Sequence, residues 1–148
     1  MKLFPAIALL ACGLAGCTSG PHAIDPTVIA DLDGVYGYSA QSGGADAVSG
    51  RVTLATHPDS SVSGSWELSR VPGSDTTLLV GPQVGTGTLA GAVAAGTVSL
   101  NLNPTWADNN VFLTVHASTP GELTGTWWHS TIAGPVASGS VTLLRLTR

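Results

Sequence analysis

From Leu32 to the carboxyl end, apolar and small polar residues alternate with a period of two. The alternation is clearest in short cassettes such as Leu123-Thr-Gly125-Thr-Trp127, in which an apolar residue, a glycine and a large residue share one face. A period of two places every second side chain on the same side of a β-strand. The chain is therefore predicted to be all-β, with one face of each strand turned toward a shared core.

The cassettes repeat along the chain. The type with a glycine at its centre stands at 32–36, 62–66, 89–93 and 123–127. A second type, which begins with glycine and has the pattern Gly-x-Val-x-Leu, stands at 50–54, 96–100 and 139–143. Residues 52–69 also match residues 113–130 without a gap, so that Trp66 falls on Trp127. This self-similarity predicts an internal duplication of hairpin units.

Turn clusters rich in Gly, Pro, Ser and Asp separate the alternating stretches, as in an antiparallel meander. The expected strands are 34–42, 47–56, 61–70, 76–81, 86–93, 96–103, 111–118, 122–131 and 137–147. Such chains avoid open sheet edges by closing into a barrel or by pairing two sheets. Inward glycines relieve crowding between coiled strands. We therefore expect an antiparallel up-and-down β-barrel of about eight strands, with a β-sandwich as the alternative.

The Gly-x-Trp cassettes resemble those of avidin-like and lipocalin-like up-and-down barrels, Leu123-Thr-Gly125-Thr-Trp127 above all. The resemblance spans five residues at a time and implies the same kind of barrel. The polar residues with which avidins contact biotin have no recognisable counterparts here, so the resemblance does not imply biotin binding.

The first residues have the composition of a secretory signal. Lys2 supplies a positive charge, and residues 3–14 form an apolar stretch broken only by Pro5 and Gly13. A transmembrane helix needs about 20 apolar residues, so this stretch is too short to be one. Residues 1–16 are accordingly expected to be a signal peptide that is removed and takes no part in the fold.

Leu14-Ala15-Gly16-Cys17 resembles the lipobox of bacterial lipoproteins. The resemblance implies transfer of diacylglycerol to the Cys17 thiol, cleavage before Cys17 and acylation of the new amino terminus. The expected partner is then a membrane, through acylated Cys17, and the expected location is the cell envelope. Thr18 is not the Asp that retains lipoproteins in the inner membrane, so the outer membrane is expected in a Gram-negative host. An ordinary signal peptide with an incidental cysteine is the alternative.

Three segments follow from this. Residues 1–16 are the signal peptide, residues 17–31 are the lipidated cysteine, a tether and a short helical turn begun by Asp25-Pro26, and residues 32–148 are the barrel domain. After cleavage, four arginines against nine acidic residues leave a net charge of −5. Binding to nucleic acid needs a clustered basic face, so no nucleic-acid partner is expected.

Four residues share the predicted inward faces and could meet inside the barrel, namely Tyr36, Trp66, Trp127 and His129. The two tryptophans are expected to be core, and a contact with a small apolar ligand is the alternative. His129 takes the position that Leu68 has in the earlier repeat. It is expected to cap the barrel mouth through a hydrogen bond or to reach water, with ligand binding as the alternative.

Two other tryptophans are candidates for surface contacts. Trp128 has outward parity, next to the inward Trp127, so it is expected to pack on the outer surface. Trp106 lies in the turn-rich segment Asn101–Asn110, and loops at barrel mouths often carry recognition. We expect Trp106 to fold over the barrel end, and a surface contact is the alternative.

Catalytic and metal sites are not expected. The sequence has no Gly-x-Ser-x-Gly elbow and only two glutamates, of which Glu67 has outward parity and Glu122 lies at a turn. No three histidines obviously converge, so no metal and no cofactor is expected. The sequence therefore predicts a non-catalytic, lipid-anchored envelope protein that acts as a structural or interaction module for an envelope protein partner. The alternative is a binding protein for a small apolar ligand inside the barrel.

Overall fold

The computed structural model describes residues 32–147, and the predicted signal peptide, Cys17 and the tether lie outside them. The described residues form eight strands that pair in sequence order, and β8 pairs back to β1 to close an antiparallel barrel. The strands are β1 (Gly34–Ser42), β2 (Ala45–Thr56), β3 (Ser61–Arg70), β4 (Gly85–Ala94), β5 (Thr97–Asn101), β6 (Asn109–Thr119), β7 (Glu122–Thr131) and β8 (Gly134–Thr147). The expected barrel is confirmed, and the sandwich is not formed.

The up-and-down connectivity places alternate connections at opposite ends of the barrel. We call one end the loop rim, which consists of the connections 43–44, 71–84, 102–108 and 132–133. The other end is the base, which consists of the connections 57–60, 95–96 and 120–121 together with Leu32. The described chain therefore enters the barrel at the base. No helix in residues 32–147 is long and apolar enough to cross a membrane.

Every second side chain of the strands points into one core, as the alternation predicts. In β3, for example, Val62, Trp66 and Leu68 are buried while Ser65 and Glu67 between them are exposed. The core cluster draws side chains from all eight strands, and its largest fully buried members include Trp127 and Tyr36. Burial of this alternating apolar face supplies the main driving force for closing the sheet.

The two halves of the barrel repeat one another. In the hairpin β2–β3, Val52 lies opposite Trp66, and in the hairpin β6–β7, Leu113 lies opposite Trp127. These four residues occupy matching positions of the segments 52–69 and 113–130. The duplicated sequence thus folds into two hairpins of the same register.

The glycines of the repeated cassettes stand where neighbouring strands approach closely. A Cβ on Gly64 would overlap the carbonyl oxygen of Thr53, and a Cβ on Gly125 would overlap that of Thr114. Only glycine leaves room for such a close approach of two backbones. These contacts provide the physical reason for the cassette glycines in both halves.

One predicted strand was wrong. Residues 76–81 form no strand and belong instead to the connection 71–84 between β3 and β4. β5 is also shorter than expected, because the chain turns at Asn101, whose Oδ1 accepts a hydrogen bond from the Asn103 amide at 2.8 Å. Pro104, which lacks an amide hydrogen, follows directly and cannot continue the ladder.

Candidate functional site

The 71–84 connection folds inward and closes the loop rim. Val80 is only 4% exposed, and Gln83 is fully buried although its side chain is polar. The Tyr38 hydroxyl donates a hydrogen bond to Gln83 Oε1 at 2.5 Å, and Gln83 Nε2 donates to the Val80 carbonyl at 2.6 Å. Burial raises the pKa of the Tyr38 hydroxyl, so the group remains a protonated donor.

Side chains at the ends of β1 and β3 also hold the 71–84 connection. Ser42 Oγ donates to the Leu79 carbonyl at 3.1 Å, and Arg70 Nη2 donates to the Leu78 carbonyl at 3.0 Å. These hydrogen bonds give partners to the carbonyl oxygens of Leu78 and Leu79, which in a β-strand would be bonded by the backbone of a neighbouring strand. They explain how an apolar stretch with the pattern of a strand is stable as a loop.

His129 lies at the rim under the same connection. A Cβ on Gly81 would come within 2.6 Å of His129 Cγ, and Gly81 has a φ of 65°, which favours glycine. His129 Nε2 donates a hydrogen bond to Asn109 Oδ1 at 2.6 Å. Partial burial lowers the pKa of the imidazole. His129 therefore lies at the barrel mouth and makes a hydrogen bond there, which is one of the two structural roles expected for it.

Tyr36 lies near the base, away from the rim. Its hydroxyl donates to the Leu32 carbonyl at 3.0 Å and accepts a hydrogen bond from Arg145 Nη2 at 2.7 Å. The Arg145 guanidinium carbon also lies 5.3 Å from the centre of the Tyr36 ring, within the range of a cation–π contact. Tyr36 thus ties β1 to β8 where the described chain enters the barrel.

Trp66 and Trp127 are both core residues, 6% and 0% exposed. Each indole passes beneath a glycine of the next strand, because Trp66 pairs with Gly87 and Trp127 with Gly139. Trp127 Nε1 donates to the Gln41 carbonyl of β1 at 2.8 Å. The two tryptophans occupy equivalent positions in the internal repeat. Trp66 extends beneath β4 to the connection 102–108, and Trp127 extends beneath β8 to β1.

The Trp66 indole bridges a split in the barrel wall. β4 pairs with β3 from Gly85 onward but pairs with β5 only from Ala90 onward, since β5 ends at Asn101. Trp66 Nε1 donates to the Thr88 carbonyl at 3.2 Å on one side of the split and to the Leu102 carbonyl at 2.6 Å on the other. The indole therefore holds the two sides together where strand pairing stops.

Above the Trp66 indole the split opens into a cavity of about 260 Å³, which we call the notch. Pro82 and Val84 of the 71–84 connection and residues 86–88 of β4 line one side, and residues 102–106 line the other. Asn103 joins the two sides, because its Nδ2 donates to the Pro82 carbonyl at 3.2 Å. Trp106, half exposed at 50%, forms part of the wall.

The position of Trp106 differs from the expectation that it covers the core. Val80 and Gln83 are the buried side chains that close this end, and the Trp106 ring stays half in solvent. Asn110 Nδ2 donates to the Trp106 carbonyl at 3.0 Å and fixes the backbone of the loop. The other surface candidate, Trp128, stacks against Phe112 with ring centres 5.4 Å apart.

Large apolar side chains are exposed mainly at the loop rim. Four of them lie there: Leu79 (59%), Val84 (47%), Trp106 (50%) and Ile132 (90%). A fifth, Val136 (46%), lies next to the rim near the start of β8. The other two, Leu144 and Leu146, lie toward the carboxyl end of β8. The sequence analysis identified only Trp106 of the rim set, because exposure in loops depends on how the connections fold.

The site offers contact surfaces and hydrogen-bonding groups. Within residues 32–147, no group of three or more His, Cys, Asp or Glu side chains is placed to hold a metal ion. The predicted pocket residues do not line one common space, since Tyr36 is near the base while Trp66, Trp127 and His129 are nearer the rim.

Comparison with known proteins gives likeness of fold only. No family model matches the sequence, and no curated protein sequence matches it. The solved structure of EF1p2_mFAP2b bound to DFHBI matches with a TM-score of 0.53 and 11% identity, over 77% of this chain and 93% of that chain. A redesigned β-barrel, mFAP1, bound to DFHBI, matches with a TM-score of 0.47 and 14% identity, over 77% and 94% of the two chains.

Proposed function

We propose that this protein is a non-catalytic interaction module of the bacterial cell envelope, anchored through acyl chains on Cys17. The support for the anchor is the Leu14-Ala15-Gly16-Cys17 motif at the end of an apolar leader. Each buried acyl CH₂ contributes about 0.8 kcal/mol, so several chains on one residue hold a domain firmly at a bilayer. The outer membrane is the destination in a Gram-negative host.

The observation that carries the interaction role is the difference between the two ends of the barrel. The described chain enters at the base, whereas four of the seven exposed large apolar side chains within residues 32–146 lie at the loop rim and a fifth, Val136, lies next to it in β8. Exposed apolar side chains that gather in one region mark contact surfaces. An anchor preceding Leu32 would hold the base by its tether and leave the rim available to an envelope protein partner.

The anchor is tested by changing Cys17 to Ser and labelling cells with a radioactive fatty acid. We expect the label to be lost and the protein to leave the membrane fraction. Continued labelling of the Cys17→Ser protein would contradict the lipid attachment.

The rim is tested by placing a photo-crosslinking amino acid at Ile132, which is 90% exposed. The matched position is Asp59, an exposed residue in a turn at the base. We expect a discrete crosslinked band from position 132 and none from position 59. Equal yields from the two ends would show that the rim has no special role.

A second candidate function is binding of a small apolar ligand inside the barrel. It is favoured by the shared barrel fold with EF1p2_mFAP2b, whose structure contains DFHBI. In this chain, binding would require the 71–84 connection to open and the side chains around Trp127 to move. The test is titration of tryptophan fluorescence with a panel of apolar ligands, in which a saturable shift is the expected result and an unchanged spectrum argues for a permanently filled interior.

A further inference from the structure

We propose that the notch between β4 and the connection 102–108 binds a single uncharged sugar ring, as the end or a branch of an envelope glycan. This inference deepens the proposed interaction role of the loop rim and rests on it. It concerns a site on the wall of the barrel, separate from the interior in which a small apolar ligand would lie.

The size and the shape of the notch suit one ring. Its volume is about 260 Å³, below the range of roughly 300–1,000 Å³ typical of sites for drug-sized ligands. At the inner end of the notch, Trp66 Nε1 donates to the carbonyls of both Thr88 and Leu102. The two walls are therefore too close together there for a ligand to pass into the barrel interior. The notch is thus a shallow site with a closed floor.

Its chemistry suits a molecule with one apolar face and a hydroxylated edge. The exposed half of Trp106 offers an indole surface whose negative π face attracts the polarised C–H bonds of a pyranose. Thr86, Thr88 and Thr105 are exposed and bring hydroxyl groups to the same walls. No charged side chain lines the notch, which favours a neutral sugar over an acidic or phosphorylated one.

The edge of β4 adds backbone hydrogen-bonding groups. Thr88 directs its carbonyl into the split, and in an antiparallel strand the residue two positions away directs its amide and carbonyl to the same side. Thr86 therefore presents both groups to the notch. Among residues 32–147, no strand pairs with this edge of β4 before Ala90.

The walls are already fixed before any ligand arrives. Asn103 donates to Pro82 and its Oδ1 accepts from the Val111 amide at 3.3 Å, while Asn110 holds the carbonyl of Trp106. Pro82 and Pro104 further restrict the two sides. A preorganised site loses little conformational freedom on binding, which suits a weakly binding, hydrated ligand such as a sugar.

An extended peptide is the other ligand that a strand edge can take. Insertion of a strand between two others needs about twice the usual spacing of roughly 4.8 Å. The Trp66 hydrogen bonds keep the Thr88 and Leu102 carbonyls too close together for that. Only Thr86 lies far enough outward, and one residue offers too few backbone bonds to hold a peptide.

The experiment records the four indole N–H signals of the protein, purified in mild detergent, by two-dimensional NMR. Neutral methyl glycosides of glucose, mannose, galactose and N-acetylglucosamine are added in turn. We expect at least one glycoside to shift the Trp106 signal saturably and to leave the Trp128 signal in place, with a dissociation constant on the order of millimolar.

Two variants test the location. Binding to the variants is followed through the Trp66 indole signal, since Trp66 also lines the notch and remains in both. Trp106→Ala should weaken glycoside binding by about tenfold or more, and Thr86→Arg should weaken it similarly by filling the notch. Ile132→Ala, which changes the rim outside the notch, is the matched control and should bind as the parent does. Unshifted indole signals with all four glycosides, unchanged affinity in Trp106→Ala, or saturable binding of an uncharged peptide in their place would each overturn the proposal.

The outcomes separate this inference from the proposed function. Crosslinking from position 132 tests the rim without any sugar. A crosslink with no glycoside binding would refute the ligand class alone, whereas equal crosslinking from both ends would refute the role of the rim.

Discussion

Gly139 lies directly across from Trp127, so close that a Cβ on the glycine would come within 2.7 Å of the indole Nε1. The same Cβ would overlap the carbonyl oxygen of Gln41, which accepts the indole hydrogen bond. The tryptophan, the glycine and the carbonyl therefore form one close-packed unit at the closure between β8 and β1.

Gly139→Ala is expected to destabilise the barrel by about 1–3 kcal/mol, because the added methyl group must displace the indole or the β1 backbone. Urea unfolding followed by far-UV circular dichroism measures the change. Gly37→Ala is the control, since a Cβ there would make an ordinary contact of 3.6 Å with Leu146. If both variants unfold at the same urea concentration, the packing around Trp127 is looser than described.

Tyr38→Phe is expected to lower the free energy of unfolding by about 1–3 kcal/mol, because Gln83 Oε1 is then buried without its donor. The measurement is again equilibrium unfolding in urea. Ser140→Ala removes an exposed hydrogen bond to Gln41 Oε1 and should cost much less. Equal decreases in the free energy of unfolding of the two variants would show that the buried Tyr38–Gln83 hydrogen bond stabilises the barrel no more than an exposed one.

Val80→Ala tests whether the 71–84 connection is held by its buried side chain. We expect a loss of about 1–3 kcal/mol and faster hydrogen exchange in the connection, because Val80 contributes apolar burial at the rim. Its neighbour Leu79 is 59% exposed, so Leu79→Ala is a matched control that should leave both quantities nearly unchanged. Identical exchange rates in the two variants would contradict the closing role of Val80.

His129 predicts a pH dependence of stability. Burial lowers the pKa of its imidazole in the folded protein, so the unfolded chain binds the proton more readily. Stability should therefore be greatest above pH 6.5 and should fall as the pH decreases from 6.5 toward the lower folded pKa.

Urea unfolding at pH 8 and at pH 5.5 measures this effect. His129→Gln should flatten the dependence between these values. Asp59 and Asp75, whose pKa values are lowered by hydrogen bonds from Ser61 and Thr77, lose their contribution only at more acidic pH. A pH dependence that is unchanged in His129→Gln would assign it to another group.

The barrel could be predicted because its strands carry a local signal. Alternation and the repeated cassettes correctly predicted which side chains face the core, including Tyr36, Trp66 and Trp127. The segment 76–81 was mistaken for a strand because Thr76-Thr-Leu-Leu-Val80 has the composition of one. Its carbonyls are bonded by side chains of Ser42 and Arg70 instead, and no pattern within the segment reveals that.

The rim and the notch depend on contacts between distant parts of the chain. Gln83 looks like an ordinary loop residue in the sequence, yet it is buried because Tyr38, 45 positions earlier, donates to it. Trp106 was singled out correctly as a residue of the rim, but its half-exposed position follows from how Asn103 and Asn110 fix the loop. Such placements require the three-dimensional arrangement of three separate connections.

The two repeated halves differ most in the loop that follows the tryptophan strand, since residues 132–133 join β7 to β8 whereas residues 71–84 join β3 to β4. Each half is nevertheless fastened by its own indole, so Trp127 would still link β7 to β1 if the loop 132–133 were cut. The chain could accordingly be cut at Ala133 and the end of β8 joined by a linker to Leu32 at the base, where β1 and β8 are neighbours. Such a circular permutant would keep the barrel and carry both termini at the loop rim, so an anchor attached there would hold the barrel by its opposite end.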